Sequence, residues 1–418
     1  MNVLVVGSGG REDALKKALR KSAFVKEIIS IPGDMGTADC AWCGSGMLTG
    51  RGRLTSYASR KDIDFVVVGP EAPLVAGVAD AYRRNGKAVF GPSQAAAMLE
   101  GSKVTAKLFC KAYNIPTADF DIAETSEQAK MFVQKRGAPI VVKADGLAGG
   151  KGVKVARSLE EACIAIDTFS KLSAGRRFII EQPLIGTEMS YIVLTDGMHF
   201  VPLLPARDYK TIGPNLLTNT GGMGCVAPIP GEQFTPKLER EIIEMIIRPT
   251  LDGLRKEGRP FTGALYAGIM IHGGHPQLIE FNCRLGDPET QAILPLFRKD
   301  IFLYLHGTTN GTMNYRVAEW RNGFAVCVVL AAEGYGERED IQLGDVITGL
   351  EDAQNMEHVL VFHAGTHQRS DGAFVTARGR VLNIVGLGQT LSKARDRAYK
   401  AVARIHFNGM WYREDIGL

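Results

Sequence analysis

Ile140-Val141-Val142-Lys143-Ala144-Asp145-Gly146-Leu147-Ala148-Gly149-Gly150-Lys151-Gly152-Val153-Lys154-Val155-Ala156 reads as strand, glycine loop, strand. Four residues of strand character end in Lys143, and Val153 to Ala156 alternate with period two, so the loop should join two antiparallel strands. A P-loop would need Ser or Thr after Gly150-Lys151 and a helix beyond it; Gly152 and a strand follow instead, which excludes that motif. The loop can still hold phosphate. Glycines let successive backbone N–H groups close on an anion, and Lys143 and Lys151 add positive charge. Taken alone, the same residues also fit a basic surface hairpin.

Around this hairpin, 418 residues exceed one ordinary core and suggest about three domains. The net charge is +4 with both signs interspersed, which argues against a nucleic-acid or membrane partner. Seven cysteines are scattered, and Cys40 and Cys43 lack the second pair of a zinc site, so a reduced, cytoplasmic protein is expected. The chain starts directly in a strand, with no signal-like region and no apolar run of spanning length.

Residues 1 to about 100 alternate strand and helix: strands over 2–6, 27–31, 64–69 and 88–90, helices from Arg11 and over 75–84. This pattern predicts a doubly wound parallel sheet. In Gly7-Ser8-Gly9-Gly10-Arg11-Glu12 the third glycine of a dinucleotide fingerprint is replaced by Glu12, and the second strand ends in Ser30-Ile31 rather than a carboxylate, which disfavours NAD. Glycines feeding a helix N-terminus beside Arg11 still suit a phosphate ester. Strand ends at Ile31-Pro32-Gly33-Asp34, Gly69-Pro70-Glu71 and Gly91-Pro92-Ser93 should face the same crevice, where Glu71 is either a ligand for sugar hydroxyls or a solvated loop acid.

A helix from Ser102 carries Lys103 and Lys107 and stops near Asn114-Ile115-Pro116. Beyond it, helices over 126–135 and from Ser158 (with Glu161 as a capping box) flank the opening hairpin, and a strand covers 178–182. A hairpin over 188–204 turning at Asp196-Gly197, a helix over 236–257, and a hairpin turning at Gly273-Gly274 follow. In Leu278-Ile279-Glu280-Phe281-Asn282, side chains two apart share a strand face, so the Glu280 carboxylate and Asn282 amide oxygen lie side by side. Such hard oxygens suit Mg2+, which takes one or two protein ligands and fills its octahedron with water and phosphate. Residues 324–331 read as a strand and 391–407 as a helix. His363 and His367 are spaced like zinc-binding helix histidines, but the glycine between them argues for a strand end or turn.

Together these motifs resemble the ATP-grasp ligases, and within them the phosphoribosylglycinamide synthetase family. The resemblance runs almost end to end, through Gly7–Glu12, Gly69-Pro70-Glu71-Ala72-Pro73-Leu74, Leu99-Glu100-Gly101-Ser102-Lys103, Val142–Ala148, Asn219-Thr220-Gly221-Gly222-Met223-Gly224, Ile279–Arg284 with Gly286-Asp287-Pro288-Glu289-Thr290, and Phe362-His363-Ala364-Gly365-Thr366. It implies an α/β and α+β multidomain chain: an N-terminal doubly wound domain over 1–101, an ATP-grasp hairpin-lid subdomain over 102–188, an ATP-grasp core over 189–318 and a C-terminal cap domain over 319–418.

It also implies ATP as co-substrate and Mg2+ or Mn2+ on Glu280 and Asn282. Lys103 and Lys143 would meet the ATP phosphates under a lid containing Gly149, Gly150, Lys151 and Gly152. Glu181 would meet the adenine amino group, the Leu184 N–H the ring, and Glu188 the ribose. The phosphoribosyl group would bind by Gly9, Gly10, Arg11 and Glu71, and glycine near Arg284, Asp287 and Glu289. Arg284 would steady the reacting carboxylate, with Asp208 or Asp287 accepting the amine proton. The implied reaction joins glycine to 5-phosphoribosylamine in a monomer or weak homodimer. The alternatives are another ATP-grasp carboxylase or ligase, and a nucleotide-binding module without turnover.

Three departures stand out. Asp13 replaces a usual His and would set a negative charge near the expected phosphate. Gln182-Pro183 replaces an acid and an aromatic, tolerable because Leu184 is the expected donor. Asp208-Tyr209-Lys210-Thr211 lacks the arginine that follows lysine in the family, and Gly213-Pro214-Asn215 is separated from Thr220-Gly221-Gly222.

Overall fold

The structure, a computed structural model, describes residues 1–32, 59–60, 62–149, 152–172, 176–213, 219–336 and 341–418. Gly150 and Lys151 of the opening loop, the Cys40/Cys43 pair, Gly33-Asp34 and Pro214-Asn215 lie outside the described residues.

Strands β1 (Asn2–Gly7), β2 (Glu27–Pro32), β3 (Phe65–Val68) and β4 (Ala88–Phe90) form a parallel sheet in the order β2-β1-β3-β4. Val3 to Val6 and Phe65 to Val68 are buried on both faces, as an all-parallel sheet covered by helices requires. The expected helix over 75–84 is two, Glu71–Val75 and Val78–Arg84, separated by Gly77 at φ 80°. That left-handed turn comes free only to a residue without Cβ.

β5 (Phe120–Ala123), β6 (Ile140–Ala144), β7 (Val153–Ala156) and β8 (Phe178–Glu181) form a second sheet, ordered β5-β8-β6-β7, in which β6 and β7 pair antiparallel. Helices Ser126–Arg136 and Leu159–Phe169 cover it through Ala129, Val133, Ala162 and Ile166. Ser158 does cap its helix by accepting from the Glu161 N–H, but the returning Glu161 carboxylate takes the Arg157 N–H instead.

The third sheet, β10-β9-β13-β14, is built from β9 (Thr187–Thr195), β10 (Phe200–Pro202), β13 (Gly263–His272) and β14 (His275–Asn282). The strand expected over 198–204 is shortened because Asp196 Oδ1 accepts from the N–H groups of Met198 and His199 and holds them in the turn. The helix expected over 236–257 is interrupted: α-helical Pro236–Ile242 and Arg248–Lys256 flank a π-helical turn, Ile243–Ile247. Pro249 has no N–H to give the preceding turn, and the wider turn absorbs that loss.

A fourth sheet, ordered β11-β12-β15-β19-β16, joins β11 (Arg207–Asp208) and β12 (Gly224–Ala227) to β15 (Phe324–Ala331), β16 (Val359–His363) and β19 (Arg380–Gly388). It therefore crosses position 319, placing β11 and β12 on a sheet whose other three strands come from the end of the chain. A small hairpin, β17 (Thr366–Gln368) with β18 (Phe374–Thr376), stands beside it. The last helix, Leu391–Val402, ends five residues earlier than expected. His363 closes β16, its Nδ1 2.9 Å from Thr366 Oγ1. Among the described residues no helix is long and apolar enough to cross a membrane.

Candidate active site

A cleft of about 840 Å³ opens between the second and third sheets and is closed at its far end by the fourth. Its lining includes Lys103, Lys143, Gly149, Gly152, Glu181, Leu184, Glu188, Asp208, Glu280, Asn282, Arg284, Asp287 and Glu289, with Arg11 and Glu71 from the N-terminal sheet. Gly9 and Gly10 do not line it.

β6 brings Lys143 to the cleft wall, where its ammonium pairs with Glu181 on β8 and donates to the Ile279 carbonyl at 3.3 Å. Lys107, one helical turn beyond Lys103, closes on the same Glu181 at 2.6 Å. Burial alone would raise the Glu181 pKa, but Lys143 and Lys107 hold it below the ordinary value. Glu181 was expected on adenine; here its carboxylate is an anchor for two lysines. Lys107, placed by its sequence only on the helix from Ser102, thereby joins the site.

Burial pushes the Lys103 ammonium pKa down, while its Nζ donates to the Gly146 carbonyl at 2.8 Å, tying the helix Lys103–Ala112 to the glycine loop. Ser102 caps that helix and donates to Asp145 Oδ1 at 2.9 Å, and Asp145 also holds Arg177. The loop's root is thus braced from both sides.

On β14, Glu280 and Asn282 share a face as the period-two rule demands. Burial would raise the Glu280 pKa, yet Lys210, Lys143 and Lys103 together keep it lowered. An ionised carboxylate beside an amide oxygen fits a hard divalent cation that takes only two protein ligands. The Asn282 oxygen already accepts from Arg284 Nη2 at 3.1 Å, so the arginine sits against the same corner. Lys210 pairs with Glu188 and lies 3.6 Å from Glu280; Glu188, expected on the ribose, is thereby bonded within the protein.

Arg284 is a hub. Its Nε donates to Glu71 at 3.0 Å and its Nη2 lies 3.3 Å from Glu100. Desolvation would raise Glu71, but Arg284 and Arg11 hold its pKa at about 2. Glu100, more deeply buried and next to Glu71, is pushed up to about 7 despite Arg284.

In the N-terminal crevice the protein's own groups crowd two of the expected glycines. The Gly9 N–H is taken at 2.6 Å by the Glu12 carboxylate, which also pairs with Arg11; a Cβ on Gly7 or Gly69 would strike that same carboxylate. Gly10 is packed so tightly that its Cβ would lie 2.2 Å from Asn383 Nδ2. These glycines therefore make room for protein groups. Asp13 turns away from the crevice: fully buried, it accepts from Lys17 at 2.8 Å and from the His363 N–H at 2.9 Å.

Asp208 and Asp287 are distinguished by their surroundings. Burial, then Glu289, push the Asp208 pKa well up, and its Oδ1 has no hydrogen-bond partner among the described residues. Asp287 pairs with Arg380 at 3.1 Å and accepts from Gln291 at 2.7 Å, which outweighs burial and lowers its pKa. Glu289 is sequestered by the hydroxyls of Ser190 and Tyr266 at 2.9 and 2.7 Å. Three arginines from the end of the chain also reach this region. Arg378 donates to Ser8, Arg380 to the Asp287 carbonyl, and Arg413 to Thr211 while its guanidinium lies over Tyr209. No local motif marks them; Arg380 arrives on β19, Arg378 on the segment just before it, and Arg413 beyond the last helix.

Family models for phosphoribosylglycinamide synthetase match in tandem, the N domain over 1–100, the ATP-grasp (A) domain over 101–290 and the C domain over 325–418. The chain belongs to the phosphoribosylglycinamide synthetase family. Phosphoribosylamine–glycine ligases of Neisseria meningitidis and Escherichia coli O157:H7 are 45% and 42% identical to it, with all of this chain and 98% of each relative covered. The crystal structure of phosphoribosylamine–glycine ligase from Thermotoga maritima superposes with a TM-score of 0.84 at 36% identity, both chains covered in full. The biotin carboxylase domain of Hydrogenobacter thermophilus 2-oxoglutarate carboxylase, solved with MgADP, shares the fold at TM-score 0.74 and 18% identity, covering 98% of this chain and 91% of that one.

Proposed function

We propose that this member of the family ligates glycine to 5-phosphoribosylamine using ATP, giving glycinamide ribonucleotide, ADP and phosphate for de novo purine biosynthesis in the cytoplasm. The supporting observation is that Lys103, Lys143 and Lys210, from three separate parts of the chain, converge on Glu280 within one cleft. A carboxylate cannot acylate an amine while oxide is its leaving group. Glycine would first attack the ATP γ-phosphate, and the resulting glycyl phosphate would lose phosphate when the amine attacks.

Lys103 and Lys143 would face the transferring phosphoryl group, offsetting charge without reorganisation. Glu280 and Asn282 would hold Mg2+ or Mn2+, which when bound neutralises phosphate charge. Arg284 would orient the glycine carboxylate. Asp208, whose Oδ1 has no hydrogen-bond partner among the described residues, would accept the amine proton when ionised; Asp287, locked to Arg380, would position the loop. The glycine hairpin over 146–152 would close over the nucleotide and keep water from the acyl phosphate.

Phosphate release dependent on both glycine and phosphoribosylamine is expected. Lys143→Ala and Glu280→Ala should each lower kcat by about 100-fold or more. Wild-type turnover in both variants would remove this cleft from the reaction, and bicarbonate replacing glycine would favour a carboxylase.

A further inference from the structure

A second hollow, of about 810 Å³, shares no lining residue with the catalytic cleft. It lies where the chain passes from the core into the C-terminal sheet. Residue 320 bridges to Phe297, the Arg321 N–H donates to Leu296 and the Arg298 N–H to Glu319, so a short ladder fixes Arg298 and Arg321 on one rim. The opposite rim is the start of helix Leu391–Val402, with Lys393 and Arg397, and His358 stands beside them.

Two glycines let the backbone close tightly at the base of this junction. Gly323 and Gly388 press backbone to backbone, and a Cβ on Gly323 would lie 2.4 Å from the Gly388 carbonyl. A Cβ on Gly388 would in turn lie 2.4 Å from the Ala394 nitrogen.

Arg298, Arg321, Lys393 and Arg397 line this space with His358, and no carboxylate does among the described residues. Of the nearby acids, Glu319 is turned to Lys299 at 2.7 Å, outside the lining, and Glu357 reaches only His358, at 3.1 Å. Arg397 donates to the Leu387 carbonyl through Nη1. The side chains of Arg298, Arg321 and Lys393 have neither hydrogen bond nor salt bridge among the described residues, so their donors face the hollow and solvent. Uncompensated like charge around a concavity is stabilised by a counter-anion, and guanidinium forks match phosphate oxygens best. The size is that of a small-molecule pocket, and a junction between domains is where such pockets concentrate.

We infer that this hollow binds a small phosphate-bearing anion, at a site separate from the catalytic cleft and bridging the core to the C-terminal domain. The test is calorimetric titration of the full-length protein with inorganic pyrophosphate, with the cleft saturated by MgADP. One pyrophosphate site should persist under ADP, and should weaken about tenfold or more in the Arg298→Ala/Arg321→Ala/Lys393→Ala variant. The single reversal Lys393→Glu, at an exposed position, should move affinity in the same direction if the triple variant folds poorly. ADP affinity should stay unchanged in both. Pyrophosphate that is displaced by MgADP, or that binds these variants as tightly as wild type, overturns the inference.

Discussion

Glu100 shows how much a single buried carboxylate can set. It accepts the Cys283 N–H at 2.7 Å and touches Arg284, but Glu71 competes for that arginine and Glu280 lies in the same field. Its pKa of about 7 in the folded chain, against 4.5 when free, means the folded state holds the proton more tightly. The stability it contributes is therefore full below about pH 4.5 and is lost as pH rises through about 7. Glu100→Gln removes that loss. Denaturant titrations at pH 5 and pH 8 should show wild type falling relative to the variant by on the order of 2–3 kcal/mol; equal slopes would mean Glu100 is ionised throughout. Glu71, held at about 2 by Arg284 and Arg11, stays charged across this range and leaves the signal to Glu100.

At the scale of elements, the segment Arg207 to Thr211 is supported from a distance. The family's arginine after Lys210 is replaced by Thr211, and Arg413 arrives in its neighbourhood, donating to both the carbonyl and hydroxyl of Thr211 and gripping Asp415 with its other nitrogens. Lysine cannot form that fork. Arg413→Lys is expected to lower kcat/KM by about tenfold, because Lys210 loses the strand that aims it at Glu188 and Glu280; wild-type kinetics would show the loop needs no brace. This contact also marks where sequence stops informing. The hairpin of β6 and β7, the paired positions 280 and 282, and the parallel sheet were legible because each depends on local period and turn chemistry. Lys107, Arg378, Arg380 and Arg413 were not, since each acts through a partner 74 to 370 positions away. Gly9 and Gly10 are ambiguous for the related reason that a glycine records a close approach without naming what approaches.

Across the whole molecule, the first and last parts of the chain are locked together beside the catalytic cleft. Helix Gly10–Leu19 lies against β16, where Lys17 donates to the Val361 carbonyl at 2.6 Å and sits over the Phe362 ring. Asp13 completes the joint by accepting from both Lys17 and the His363 N–H. An acid in this helix looked from sequence like a penalty on phosphate binding. Its geometry makes it a clasp between domains, because both Asp13 and His363 are buried where they bond. Asp13→Ala would strand that N–H and unpair Lys17, at a cost of about 1–3 kcal/mol. The two readings separate cleanly: a clasp predicts a lower melting temperature with KM for phosphoribosylamine unchanged, whereas an electrostatic penalty predicts a lower KM with stability unchanged. Asp13→Asn, which keeps an acceptor for the amide but drops the charge, should recover most of the stability lost in Asp13→Ala if the His363 bond carries the joint, and little of it if the Lys17 pair does.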